Sequence, residues 1–404
     1  MRFDGIEDPQ KRAELQLSAS YGLYLAGLAL AVTYWPLYFE AMGFAGAQIG
    51  LLFSVRTALN IVAQPVMSGI ADATGRPIFM LRAAFLWGAA MPGMMLFADR
   101  FWMFAAAMWM SGLLTGAIAP LLDAAIVRRV GAGRFGDIRL WGSVGYGVMV
   151  LGYGLAMQSQ PKGTTGYGAI IGWVVFLLAG AAVAFRISRR EEVEALKKPK
   201  PKQKGPWITA PLVVLLLINA LHWWGITAFN IYISLHASAK GFGTAIIGMT
   251  VATAIVGEVL AFAFARRLVS PHFAHWLLPV VYLSGALRWW VTAAAPSGPV
   301  LIATQLIHFL SFGLWTASLI HLIGRFVSDD RRAAAQGLMG GLTLGIGGMV
   351  GNAVSGALLD IGGGVLVFRV AAGADVAACL LLILTWRLWS TPAKSGGELA
   401  TAST

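Results

Sequence analysis

Apolar stretches of about 20 residues alternate with short polar breaks along the whole chain, the length a helix needs to cross a hydrocarbon core of about 30 Å. They fall near residues 18–40, 48–71, 77–98, 101–126, 138–158 and 167–186, then 208–236, 243–268, 272–294, 298–324, 334–360 and 365–389. Segments such as 211–220 and 377–384 are apolar on every side. They do not show the alternation of a barrel strand, so the pattern predicts an all-α membrane protein of about twelve transmembrane helices.

The longest polar break, 188–206, carries the run Lys197-Lys198-Pro199-Lys200-Pro201-Lys202, whose prolines and like charges oppose helix formation. It divides the chain into an N-terminal six-helix bundle, 1–187, and a C-terminal one, 207–404. Two pseudo-symmetric halves of this kind predict rocking about a central site.

Composition changes the picture in one respect. With 58% hydrophobic and 12% charged residues, the net charge of +12 does not belong to a soluble nucleic-acid binder. The basic residues gather at alternate breaks: Lys11 and Arg12, Arg76 and Arg82, Arg128, Arg129 and Arg134, Arg266 and Arg267, Arg325, Arg331 and Arg332. The other breaks hold only Arg100, Lys162 and Lys240. Positive charge stays on the cytoplasmic side, so the sequence predicts a multi-pass inner-membrane protein with both termini cytoplasmic and the charged N-terminal segment retained. Anionic headgroups account for the basic linker, and no nucleic-acid partner is expected.

Several patterns exclude other chemistry. The lone Cys379 rules out a disulfide or a cysteine metal site within one chain. Gly131-Ala-Gly-Arg-Phe-Gly136 fits a dinucleotide fingerprint, but no strand precedes it. His272 and His275 read as an interfacial loop and not a metal site. No P-loop, H-E-x-x-H or G-x-S-x-G motif occurs, so neither an ATP-driven pump nor an enzyme is expected, and no cofactor or metal. The glycines of 337–351 predict tight helix packing, with sliding or bending during a conformational change as the alternative.

Charges inside the apolar stretches carry the functional signal. Glu258 and Arg288 each lie about 15 residues into their stretches and therefore deep in the bilayer. A charge at the centre costs about 2.5–3.5 kcal/mol on insertion scales, so such residues face a partner or a water-filled cavity. The two are expected to face each other, either as a proton-coupling site or as a static pair. His308 lies at similar depth with Gln305 and Ser311 on its face, and serves either the proton or the core. Arg56 suits a substrate carboxylate or a salt bridge to Glu40. His222, Trp223, Trp224 and Asn230 extend the cavity, with the two tryptophans pointing about 100° apart.

The segment Gly69-Ile-Ala-Asp-Ala-Thr-Gly-Arg-Pro77 resembles the loop signature of the major facilitator superfamily. The resemblance implies a twelve-helix, two-bundle fold with alternating access, and a gating role for Asp72 and Arg76. Within the superfamily the chain is similar, over nearly its whole length, to the lactose permease and phenylpropionate permease group of proton symporters. The segments Ala119–Ala125, Phe135–Tyr146, Val256–Leu260, Ala286–Trp290 and Gln305–Ser311 carry that similarity. It implies substrate binding by Asp123, Arg139 and Tyr146, although an interfacial ion pair of Asp123 and Arg139 would also fit. His308 matches a histidine of the group, whereas Ser311 and Gln305 replace its glutamate and lysine. Arg56 is similar to the phenylpropionate permeases alone.

Together these readings predict a secondary transporter that couples proton entry to uptake of a sugar, nucleoside or aromatic acid. Asp123, Arg139, Tyr146 and Arg56 would bind the solute; Glu258, Arg288 and His308 would handle the proton. An exporter or uniporter on the same fold is the alternative, with a non-transporting receptor less favoured. One chain contains the whole pathway, which predicts a functional monomer.

Overall fold

The computed structural model describes residues 8–188, 207–269, 274–328 and 331–390. His272, the side chain of His275 and nearly all of the basic segment 188–206 lie outside them. Among the described residues there is no strand. In lipid every backbone N–H and C=O must be paired within the segment, which is why apolar stretches of this length become helices.

The helices are α1 (Pro9–Ala41), α2 (Gly46–Thr74), α3 (Pro77–Gly93), α4 (Phe101–Thr115), α5 (Ile118–Arg129), α6 (Phe135–Ala156) and α7 (Lys162–Arg186), then α8 (Ala210–Ala239), α9 (Thr244–Leu268) and α10 (Ala274–Ala294). Short α11 (Gly298–Thr304) runs through a π-helical turn, Phe309–Leu314, into α12 (Trp315–Phe326). In the same way α13 (Arg332–Met339) passes through a second π turn, Gly340–Ile346, into α14 (Gly347–Leu384), and α15 (Arg387–Ser390) follows.

Local chemistry sets the ends. Asp8 caps α1, its Oδ1 accepting from the Gln10 N–H at 2.9 Å, which extends the helix nine residues upstream of the apolar stretch. Gly75 closes α2 at φ +64°, a left-handed conformation that glycine adopts without cost.

Among the described residues, ten helices are long and apolar enough to cross a membrane, the last counted as Ala334–Leu384. That last one is not straight: Gly363 has φ +64° and ψ −170°, and the backbone breaks there. The expected stretches 334–360 and 365–389 fall on either side of this break, and 138–158 falls on the 22-residue α6. The stretch 101–126 is interrupted at Gly116. Each expected apolar stretch thus overlaps helix among the described residues.

Helices α1 to α7 pack on one another, chiefly α1 on α6 and α7, and α3 on α4 and α7. The later helices pack chiefly as α14 on α8 and α10. Contacts between the two sets run through α2 with α14, α6 with α9 and α1 with α8. Large apolar side chains such as Phe97, Trp102, Val148 and Leu384 are exposed on the outside, as a lipid-facing surface requires.

At one end of the molecule the two sets are tied together. Asp360 of α14 accepts from the Gly46 and Ala47 N–H groups at 2.6 and 2.8 Å, and Thr244 Oγ1 donates to the Gly154 carbonyl at 2.9 Å. Glycines allow this approach: a Cβ on Gly356 would overlap the Gly46 carbonyl, and one on Gly154 would sit 2.6 Å from the Thr244 carbonyl. At the opposite end Arg128 pairs with Asp72 at 2.9 Å, and Arg134 with Glu14 and Asp137, all within the first set. The Glu14 hydrogen bond and charge, with that of Asp137, push the Arg134 guanidinium above its ordinary pKa.

Candidate functional site

Two polar clusters occupy the interior. The first straddles the two helix sets. Asp123, half-buried on α5, accepts from the Tyr21 hydroxyl of α1 at 2.5 Å. Arg139, near the start of α6, lies within electrostatic reach of Asp123 and of Glu258 on α9. Tyr146, two turns further along α6, also senses Glu258.

No ion pair within 4.0 Å joins Arg139 to either carboxylate, so the set is preassembled but not locked. Arg139 is exposed, and Tyr146 and Glu258 are half-buried. The Thr244–Gly154 tie lies at the other end of the contact between α6 and α9.

This arrangement corrects one expectation. Glu258 and Arg288 do not form a pair: Glu258 faces the first helix set, whereas Arg288 is enclosed in the second. Counting residues along a helix gives depth, and the azimuth that separates these two side chains is set by packing.

The second cluster surrounds Arg288 of α10, which is completely buried. Its Nε donates to Gln305 Oε1 at 2.9 Å, and its Nη1 donates to His308 Nδ1 at 2.6 Å and Ser311 Oγ at 3.3 Å. The guanidinium lies over the rings of Phe229 and Trp289 at 4.4 and 4.3 Å, and its Nη2 has no partner. Gln305, His308 and Ser311 share one face, as their spacing predicts.

Beside Arg288 stands a residue that sequence reasoning missed, Asp375 of α14. It is fully buried, meets His222 Nδ1 at 2.6 Å through Oδ1, and accepts from Trp289 Nε1 at 2.9 Å through Oδ2. A lone carboxylate inside an apolar stretch is itself a functional signal and could have flagged it.

The remaining predicted residues fall elsewhere. Arg56 is 9% exposed, lies 6.0 Å from the Trp173 ring, and has no hydrogen bond or ion pair among the described residues. Glu40 bonds Lys162 at 2.7 Å instead, which removes the proposed Arg56–Glu40 bridge. Asp72 bonds Arg128, and Arg76 is an exposed residue at the start of α3.

Trp223 stacks on Trp315 at 5.5 Å, while Trp224 turns to donate to Ser355 Oγ, the divergence expected of neighbours on a helix. His222 is closed in the core, so it does not widen a cavity. Asn230 is half-buried. Among the described residues no cluster of three or more metal-ligating side chains occurs. An apolar crevice of about 710 Å³ lies between α1, α6 and α7, walled by Leu23, Trp141, Val148 and Phe176. It contains none of the polar site residues.

A helical membrane scaffold closed at one end, with charged residues poised between two helix sets, defines a membrane transporter. The model of the MFS_1 like family matches residues 14–370, and the chain belongs to that family. It is 27% identical over 348 residues to the maltose permease of Geobacillus stearothermophilus, spanning 85% of this chain and 87% of that one. It is 22% identical over 311 residues to a probable 3-phenylpropionic acid transporter of Escherichia coli K12, covering 73% and 78% of the two chains. Its fold matches a crystal structure of a mutant nucleoside transporter NupG with a TM-score of 0.81 at 16% identity, over 93% of this chain and 100% of that one. A POT family transporter in complex with 5-aminolevulinic acid matches at 0.74 and 10% identity, over 94% and 97%. These relatives and neighbours are transporters, and the chain is not an enzyme.

Proposed function

We propose that the protein is a proton-coupled symporter that takes up a small organic solute, a sugar, nucleoside or aromatic acid, by alternating access. The observation that carries the reading is Arg139 lying within electrostatic reach of both Asp123 of the first helix set and Glu258 of the second. A guanidinium reached by two carboxylates on opposite sides of a rocking interface gives a site whose proton affinity depends on the conformation. When the helices hold Arg139 near Glu258, the carboxylate is favoured; when they part, burial favours the proton. Solute hydroxyls or carboxylates would be bound by Asp123, Arg139 and Tyr146, with Arg56 as a further cation in the first set. Asp72 and Arg76 would help close the far end.

The basic breaks support an orientation in the inner membrane with both termini cytoplasmic, the halves 1–187 and 207–404 moving about the linker 188–206. One chain holds every residue of this site, consistent with a functional monomer.

Uptake into proteoliposomes tests the reading. A panel of labelled maltose, nucleosides and phenylpropionate is offered with an inward proton gradient, to wild type and Glu258→Gln. Accumulation of one solute by wild type is expected to drop at least tenfold in the variant while exchange of preloaded solute continues. Accumulation unchanged by Glu258→Gln removes that residue from coupling, and equilibration indifferent to the gradient replaces symport by facilitated diffusion.

A further inference from the structure

The hydrogen bonds of His222 account for its protons one by one. Its Nε2 lies 2.6 Å from the Ser311 carbonyl oxygen, which can only accept, so Nε2 carries a hydrogen. Its Nδ1 lies 2.6 Å from Asp375 Oδ1. A neutral imidazole protonated on Nε2 presents a lone pair at Nδ1, and a carboxylate presents another, so that contact needs one further proton between the two atoms. Whether it rests on nitrogen or oxygen, His222 and Asp375 together hold one proton more than a neutral histidine and a carboxylate, and their joint charge is zero.

The neighbourhood makes that proton consequential. Arg288 is within electrostatic reach of Asp375, yet among the described residues its own hydrogen bonds go to Gln305, His308 and Ser311. Because Arg288 donates to His308 Nδ1, that ring accepts there and is neutral. With the pair loaded, Arg288 is therefore an uncompensated buried cation whose Nη2 has no partner. With the pair unloaded, the Asp375 carboxylate neutralises it.

The other titratable groups around the pair are Tyr282 of α10, whose ring lies 5.3 Å from that of His222, and Cys379 of α14. The packing is built for the pair. A Cβ on Gly285 would overlap Asp375 Oδ2, and one on Gly225 would overlap the Trp289 indole nitrogen that bonds the same carboxyl. The Ser311 carbonyl belongs to a π-helical turn, where the regular ladder is interrupted and functional contacts recur.

We propose that His222 and Asp375 form a proton-binding site, separate from Glu258, whose occupancy sets the charge that Arg288 presents to the solute. The proposal rests on the symport reading. Loading makes the Arg288 guanidinium available to an acceptor group of the solute, a carboxylate above all. Release of the proton to water leaves a carboxylate that competes for Arg288 and breaks one of the two His222 hydrogen bonds. That bond ties α8 to α14 or to the π turn, so proton loss also loosens the helices that must move. Proton and solute then favour each other's binding by the same factor, as linkage requires.

The experiment uses full-length protein and the proton itself as ligand. Potentiometric and infrared difference titrations in detergent compare wild type with Asp375→Asn and His222→Gln, with Trp289→Phe as a control that keeps both members of the pair. Wild type and the control are expected to release one proton per chain, with a carboxyl or imidazole band, that Asp375→Asn lacks and that His222→Gln shifts to a different pH. Thermal melts show which variants are folded; where Asp375→Asn is not, an unshifted proton release in His222→Gln overturns the proposal.

In function, Asp375→Asn fixes the loaded charge and keeps solute affinity high at every pH, whereas His222→Gln leaves Asp375 as a lone buried carboxyl and moves the pH at which affinity changes. Wild-type affinity should fall about tenfold per pH unit above the loading transition. A proton release in Asp375→Asn equal to that of wild type overturns the proposal. Absence of gradient-driven uptake by wild type would instead sink the symport reading, and the proton count would still decide the pair.

Discussion

Arg56 is held as an unpaired cation in the core of the first helix set, beside Tyr24 and the Trp173 ring. Gly112 leaves room for it, since a Cβ there would meet Arg56 Cγ at 3.4 Å and its carbonyl at 3.1 Å. A buried unpaired charge destabilises a fold, so its presence argues for a ligand that pairs with it. Arg56→Met keeps the stem and removes the charge. The variant is expected to melt at a higher temperature in detergent, by a stabilisation of about 1–4 kcal/mol, and to lose at least tenfold in uptake of carboxylate solutes but not of neutral ones. Equal loss for both solute classes would remove Arg56 from anion binding.

The sequence shows such residues well when they sit alone in an apolar stretch, as Glu258, Arg288 and His308 do. It does not show which neighbour each one meets. Depth alone pairs Arg288 with Glu258, but helix rotation turns it toward Asp375, a carboxylate in the middle of the last apolar stretch, set among alanines and leucines.

At the scale of elements, most boundaries follow from local signals: Asp8 and Thr209 at helix starts, prolines in first turns, Gly75 at an end. The breaks inside helices were not legible, because π turns at Phe309–Leu314 and Gly340–Ile346 change no hydropathy. The glycines around the second turn predict tight packing, and Gly345 lets Ile61 of α2 approach, since a Cβ there would sit 2.5 Å from that side chain.

The contact of α2 with α14 leads to a prediction about conformational balance. Asp360 caps the start of a helix from the other set, with two N–H donors within 2.8 Å. A cap is worth about 1 kcal/mol, and this one exists only while this end is closed. Asp360→Ala should therefore shift the ratio of closed to open molecules about fivefold toward open at this end. Spin-label distances across the end, placed in a Cys379→Ser background, report that ratio. An unchanged distance distribution would show that the cap does not contribute to closure.

For the whole molecule, the order of apolar stretches was enough to read the architecture, because lipid forces each backbone to satisfy itself. Sidedness is a separate question, carried by charge. The end tied by Asp360 and Thr244 holds Lys162, bonded to Glu40, and Lys240, which donates to the Ala295 carbonyl at 3.0 Å. The opposite end gathers Arg128, Arg129 and Arg134, with Arg325 at the end of α12. Positive residues resist translocation, so the arginine-rich end should face the cytoplasm and the structure should be the state open inward.

Single cysteines at Lys240 and at Arg134, again with Cys379→Ser, separate the two orientations. An impermeant maleimide applied to intact cells should label the Lys240 position and spare Arg134, and inverted vesicles should reverse the pattern. The converse result would place the open end outside. The same site residues would then meet solute first from the other side, and the coupled protons would run outward with respect to the arrangement drawn from the basic loops.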